Sequence, residues 1–178
     1  MKPSLLIASP QMKDPFFERT VVLLWQHDED GAVGVVVNRP LGHSLAEVLA
    51  IADDLDLADY KDQPVAWGGP VEATTGTIIT LETVDDEEGW QVDEQLAVTR
   101  SQEALIRLIE QGARVLLCLG YAGWGPGQLE AELAKGGWLW TEPSPDLLFD
   151  HPLDERWERA LASMGLAEHT VWMTPIDE

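Results

Sequence analysis

Two runs of β-branched and aliphatic residues, "TVVLLWQH" (20–27) and "AVGVVVN" (32–38), are separated only by "DEDG". A helix would spread these side chains around its whole circumference. Two extended strands joined by a short polar loop bury them together. The spacing predicts a β-hairpin with a four-residue loop in which Gly31 supplies a positive φ. Pro40 has no amide hydrogen for a ladder, so the second strand is expected to stop there. "ARVLLCLGY" (113–121) is a near-continuous apolar run, the pattern of a strand covered on both faces.

Shorter strands are expected at "SLLIA" (4–8), "PVAW" (64–67), "TIITLET" (77–83) and "WLWTE" (138–142), with weaker ones at "WQVD" and "LAVT". "GGPVEATTG" reads as the connection between the second and third of these. "SLAE" (44–47) is a capping box opening a short helix through about Ile51, and the acidic stretch 53–63 reads as loop. In "SQEALIRLIEQG" (101–112), Ala104, Leu105, Leu108 and Ile109 form one apolar stripe, with Gly112 past the end. "PGQLEAELAKGG" predicts a helix of about nine residues with Pro126 near its first position. "PLDERWERALASMG" (152–165) places Leu153, Trp157, Leu161 and Met164 on one helical face. The strand, helix, strand order around residues 96–121 suggests one βαβ-like crossover. Together these elements predict an α+β fold with a mostly antiparallel sheet. One domain over 1–165 is expected, with a weakly specified tail at 166–178.

Charge narrows the function classes. Eleven Lys and Arg stand against 32 Asp and Glu, a net charge of −21. Such a surface repels a phosphate backbone, and no basic patch offsets it, so direct nucleic-acid binding is not expected. One cysteine, Cys118, excludes an internal disulfide. No leader and no apolar run of membrane-spanning length is visible, so a cytoplasmic protein without membrane contact is expected.

"GYAGWGPGQLE" (120–130) has the look of a phosphate cradle, but its glycines do not fit one. They stand at 120, 123, 125 and 127, matching neither a P-loop nor a dinucleotide fingerprint. Glu130 and Glu132 already occupy the positive field of the following helix N-terminus. The stretch reads instead as a sharp strand-to-helix turn projecting Tyr121 and Trp124, either into the core or as a recognition patch. "HDED" and "DDLDLAD" lack the spacing of a metal site, and no G-x-S-x-G elbow is present. Neither a metal nor a cofactor is expected. "NRP" (38–40) and "WGGPVE" (67–72) both end strands, and Arg39 is the one anion-binding side chain among these segments.

Five segments in order resemble the AlgH/YqgE family of bacterial proteins: "LIASPQMKDPFFERTVV", "GAVGVVVNRP", "WGGPV", "LGYAGWGPGQLEAEL" and "LLFDHPLDERWERAL". The resemblance spans about residues 4–165 and departs from the family's usual small residue near Pro126. It implies a bifurcated sheet folded into a pseudo-barrel with helices packed outside. It also carries a label of transcriptional regulator, with no catalytic residue to transfer. Asp14, Pro15, Phe17, Arg19, Pro40 and Gly125 are shared motif positions. The candidate ligand- or partner-binding residues are Asn38, Arg39, Gly68, Gly69, Pro70, Gly120, Tyr121, Gly123, Trp124, Gln128 and Glu130. The expected function is a regulatory or adaptor protein that binds a protein or small ligand through this glycine and aromatic patch, any transcriptional effect being indirect. The alternatives are an enzyme acting on a small anionic substrate, with Arg39 orienting it and Glu130 or a histidine as acid or base, and a direct DNA-binding regulator.

Overall fold

The computed structural model describes residues 4–49 and 55–166. Its hairpin joins β2 (Val21–Asp28) to β3 (Gly31–Val36) more tightly than expected. Asp28 pairs with Gly31, leaving two turn residues, Glu29 and Asp30. The Asp28 carboxylate accepts the Asp30 amide at 2.8 Å, and Gly31 takes φ 133°. A short acidic side chain thus closes the turn that a longer loop was expected to make.

The first strand, β1 (Ser4–Ala8), lies beside β2. On this pair, Leu5, Ile7, Val21 and Leu23 enter one hydrophobic cluster, and Leu6, Ala8, Val22 and Leu24 enter another. Both faces are buried, which is why these runs show no polar alternation. The remaining strands are β4 (Pro40–Ser44), β5 (Pro64–Trp67), β6 (Val71–Thr80), β7 (Gly89–Gln91), β8 (Ala97–Thr99), β9 (Val115–Trp124) and β10 (Trp138–Thr141). The sheet order is β10-β1-β2-β3-β9-β6-β8-β7, with β4 and β5 branching from β9. The second hairpin strand ends at Val36, short of the stop expected at Pro40, and Pro40 instead opens β4.

The branch explains the glycines. On one edge, β9 pairs with β5 in parallel at Cys118 and Leu119, then with β3 antiparallel from Ala122 to Trp124. The other edge is held by β6. At the fork, the Gly68 amide donates to the Leu119 carbonyl at 2.7 Å, and the Gly68 carbonyl accepts from Val36 at 2.8 Å. A Cβ on Gly68 would overlap the Gly120 carbonyl oxygen, and one on Gly69 the Tyr121 carbonyl, while Gly120 itself takes φ 82°. The sheet therefore splits and curls into a half-barrel where three glycines let two backbones touch. The expected α+β architecture and the bifurcated sheet implied by the family resemblance are present.

Five helices cover this sheet among the described residues: α1 (Leu45–Val48), α2 (Gln102–Glu110), α3 (Gln128–Ala134), α4 (Pro145–Phe149) and α5 (Arg156–Ser163). Ser44 and Ser101 cap α1 and α2, accepting the Glu47 and Ala104 amides at 3.2 and 3.1 Å. The expected end of α1 near Ile51 falls outside the described residues. The predicted stripe of α2 is buried. Since β8 and β9 both run antiparallel to the intervening β6, α2 is the crossover between two strands of the same direction.

Several boundaries differ from the sequence reading. The strand expected at 77 begins at Val71, because a register shift between Val71 and Gly76 lets β6 follow β9 past the fork. The acidic segment contains a 3-10 turn (Ala58–Tyr60), anchored by the Tyr60 hydroxyl donating to the Ala113 carbonyl at 2.7 Å. The expected nine-residue helix is seven residues long and starts at Gln128, after Gly127 at φ 74°. Pro126 therefore precedes the helix. Helix α4 was not anticipated, although "SPDLL" carries its signal: Ser144 caps it and Pro145 opens it. Of the expected tail 166–178, only Leu166 is described.

One ion pair ties the edge of the sheet to α2. Arg107 donates to both Glu88 carboxylate oxygens, at 2.5 and 3.0 Å. This holds the Glu88 carboxyl below its ordinary range. A carboxylate depressed in the folded state adds stability above its unfolded pKa, about 4.3, and loses it as pH falls through the folded value. Denaturant titrations should therefore show wild type more stable than Glu88→Gln at neutral pH. The gap should close in acid; a gap constant down to pH ~3 would mean Glu88 is not linked to folding this way.

Candidate functional site

The segment between β1 and β2 crosses one face of the sheet and carries two adjacent aromatic rings to two different places. The Asp14 carboxylate accepts the Phe16 and Phe17 amides at 2.8 and 3.3 Å, folding the segment into a turn. The Thr20 hydroxyl donates to the Phe17 carbonyl at 2.6 Å. Two residues of "NRP" hold the segment from below. Asn38 accepts the Val21 amide and donates to the Arg19 carbonyl, each at 2.8 Å. Arg39 donates to the Phe16 and Glu18 carbonyls at 2.6 and 2.9 Å. Desolvation by burial lowers the Arg39 pKa, and neighbouring Glu18 partly offsets this.

Phe16 is 52% exposed and stacks on Trp67 at a centroid distance of 6.3 Å, while the Arg39 guanidinium sits 5.1 Å from the Trp67 ring. Phe17 turns the other way, lying 6.1 Å from Trp124 and 5.8 Å from Trp138. Both Trp67 and Phe17 pack against the same hydrophobic cluster. The result is an aromatic strip in two parts joined by the Phe16–Phe17 backbone: Trp67 and Phe16 beside Arg39, and Phe17 against the buried Trp124 and Trp138.

The strip ends in a cavity of about 260 Å³ lined by Met12, Asp14, Phe17, Trp124, Gln128, Glu132 and their neighbours. Glu132 organises it. One of its carboxylate oxygens accepts the indole N–H of Trp124 at 3.2 Å and of Trp138 at 2.9 Å. The other accepts the Gln128 amide at 2.9 Å, and Gln128 in turn accepts the Gly125 amide at 3.0 Å. Among the described residues, Glu132 makes no ion pair. Three N–H donors hold this carboxylate in one orientation without neutralising it.

The predicted residues divide. Arg39, Gly123, Trp124 and Gln128 lie on the strip or its cavity. Trp124 is only 6% exposed, so it forms a wall and not a projecting anchor. The expected turn at "GYAGWG" is strand instead: β9 continues through Trp124, and successive side chains alternate between faces. Tyr121 therefore faces the other side, with Arg100 4.8 Å from its ring centre and Trp25 and Trp90 nearby. Asn38 is buried and holds the loop. Gly68, Gly69 and Gly120 serve the fork, with Pro70 exposed just beyond it. Glu130 points away, its carboxylate 3.0 Å from His27 Nε2; that contact holds its pKa below the ordinary range. Five residues were not anticipated as site members: Met12, Phe16, Trp67, Glu132 and Trp138. Glu132 stands four positions after Gln128, the spacing of neighbours on one helical face, and that was the available signal.

Among the described residues, no three His, Cys, Asp or Glu side chains converge as metal ligands would, and no helix is long and apolar enough to cross a membrane. Comparison with known proteins is consistent over most of the chain. The family model described as AlgH-like (DUF179) matches residues 5–169. A UPF0301 protein of Xanthomonas campestris is 41% identical over 170 residues, covering 91% of this chain and 88% of that protein. A UPF0301 protein of Vibrio vulnificus is 36% identical over 171 residues, with 90% of each chain covered. The solution structure of the AlgH protein from Pseudomonas aeruginosa superposes with a TM-score of 0.76 at 39% identity, over 92% of this chain and 88% of that one. A Corynebacterium diphtheriae protein of 22% identity shares the fold, with a TM-score of 0.72 over 91% of this chain and 86% of its own. By the family match and by these relatives, the chain belongs to the AlgH-like family.

Proposed function

We propose that this AlgH-like chain is a non-catalytic binding protein, a regulator or adaptor that takes a protein partner on the aromatic strip. The observation that carries this is Phe16: a half-exposed phenyl ring stacked on Trp67, on a loop fixed by Asp14, Asn38 and Arg39. A large apolar side chain held outward by three polar residues costs little further ordering when a partner covers it. Trp and Arg are the residue types that dominate binding energy at protein interfaces, and both stand beside it. The carboxylates of Asp14 and Glu132, on a chain of net charge −21, favour a partner with basic residues around its apolar contact. The same charge disfavours direct DNA contact, so any transcriptional effect runs through the partner.

Affinity isolation with Phe16→Asp and Arg39→Ala beside wild type tests this reading. Partners using the strip should fall at least tenfold in both variants, corresponding to about 1.4 kcal/mol. If folded variants retain the same partners at the same yield, the strip is not the binding surface.

A further inference from the structure

A second concave site lies where the base of β9 meets the corner between α4 and α5. It encloses about 360 Å³ and is lined by Gln63, Arg114, Phe149, His151, Pro152 and Arg156, among others. Much of it comes from "LLFDHPLDERWERAL", a segment with no part in the aromatic strip.

Arg156 is the anomaly. It is 5% exposed, yet its hydrogen bonds go only to backbone: Nε to the His151 carbonyl at 3.1 Å and Nη1 to the Val37 carbonyl at 2.7 Å. Its Nη2 has no hydrogen-bond partner among the described residues, and no carboxylate pairs with it there. A buried guanidinium without a counter-charge is costly, and this chain has 32 Asp and Glu from which to supply one. Burial lowers the Arg156 pKa to about 10, and nearby Arg114 adds to that shift. Cys118 does not supply the counter-charge, because its own burial pushes the thiol up to about 12 and keeps it neutral. Arg114 donates to the Asp150 carboxylate at 2.9 Å and to the Phe149 carbonyl at 2.6 Å. That pair is about half-exposed on both sides, so a stronger acceptor displaces Asp150 at little cost.

We propose that this cleft is an anion site that binds the phosphate group of a small phosphorylated ligand between Arg156 and Arg114. Phosphate oxygens would accept from the free Nη2 of Arg156 and from the Arg114 fork, the charge-assisted geometry that guanidinium serves best. Once Arg114 and Asp150 cancel, the Arg156 charge remains to be met. The cleft is larger than a phosphate, and Phe149 and Pro152 offer the organic part of the ligand an apolar wall.

The test is a titration of the intact chain with inorganic phosphate, followed by NMR of the Arg156 and Arg114 side-chain N–H groups. Sodium chloride at matched ionic strength is the control. The expected result is a saturable shift with phosphate alone, a Kd about tenfold weaker in Arg114→Gln, and competition by glycerol phosphate for the same resonances. Arg156→Lys should weaken binding further; if that variant does not fold, Arg114→Gln still decides. Phe16→Asp should bind phosphate normally, so failure here is separable from failure of the aromatic strip. Shifts that track ionic strength alone, an unchanged Kd in Arg114→Gln, or no competition by glycerol phosphate would each overturn the proposal.

Discussion

Gly69→Ala is expected to destabilise the protein by about 4 kcal/mol, a large share of a typical domain's total. The added methyl would meet the carbonyl carbon and oxygen of Tyr121, and the Ala122 amide nitrogen at 2.6 Å, all backbone atoms that cannot rotate aside. Gly69 also has φ 151°, a conformation side-chain-bearing residues rarely adopt. Relief would require β9 to move at the point where β3, β5 and β6 all use it. Gly127→Ala is the matched control. It has φ 74° and nothing within 4 Å of the added atom, so only backbone strain is charged, about 1 kcal/mol. Urea unfolding of both variants separates the two costs. Equal losses would mean the fork tolerates a side chain and the glycines are there only for φ.

Trp124→Ala is expected to cost about 3–5 kcal/mol, the range for deleting a buried indole. The ring packs on Phe17 and Trp138, each about 6.1 Å away, and its N–H serves Glu132. The deletion leaves both a void and a less satisfied carboxylate. Trp124→Phe retains most of the packing and removes only the donor, so its loss should be nearer 1 kcal/mol. Chemical denaturation distinguishes the two; a Phe variant as damaged as the Ala variant would locate the energy in the hydrogen bond. This also decides which residue can probe binding. An alanine at Trp124 confounds folding with recognition, whereas Phe16 is half-exposed and its replacement should stay within about 0.5 kcal/mol of wild type.

The strands and the larger helices were legible because their signals are local. Runs such as "TVVLLW" and the α2 stripe fix period and burial without reference to the rest of the chain. The fork was half legible. "WGGP" and "LGYAGWG" announce close backbone approach, but nothing local says that they approach each other. That pairing depends on β5 lying parallel to β9, a contact some fifty residues apart. The relation of Tyr121 to Trp124 was hidden for a similar reason. Treating "GYAGW" as a turn put Tyr121 and Trp124 together, while the observed strand sends them to opposite faces. Arg39 is legible as a cation beside a strand end. Its use, holding Phe16 against Trp67, needs the crossing of two segments that only the folded chain brings together.

The central claim, that the aromatic strip is the binding surface, is tested most directly by photo-crosslinking in cells from a reactive residue placed at Phe16. Trp90, 41% exposed and packed on Trp25 in the other aromatic cluster, is the comparison position. A discrete adduct from position 16, absent from position 90 and lost when Arg39→Ala is added, is the predicted result. Identical adducts from both positions, or none from position 16 while position 90 captures a partner, would contradict the account.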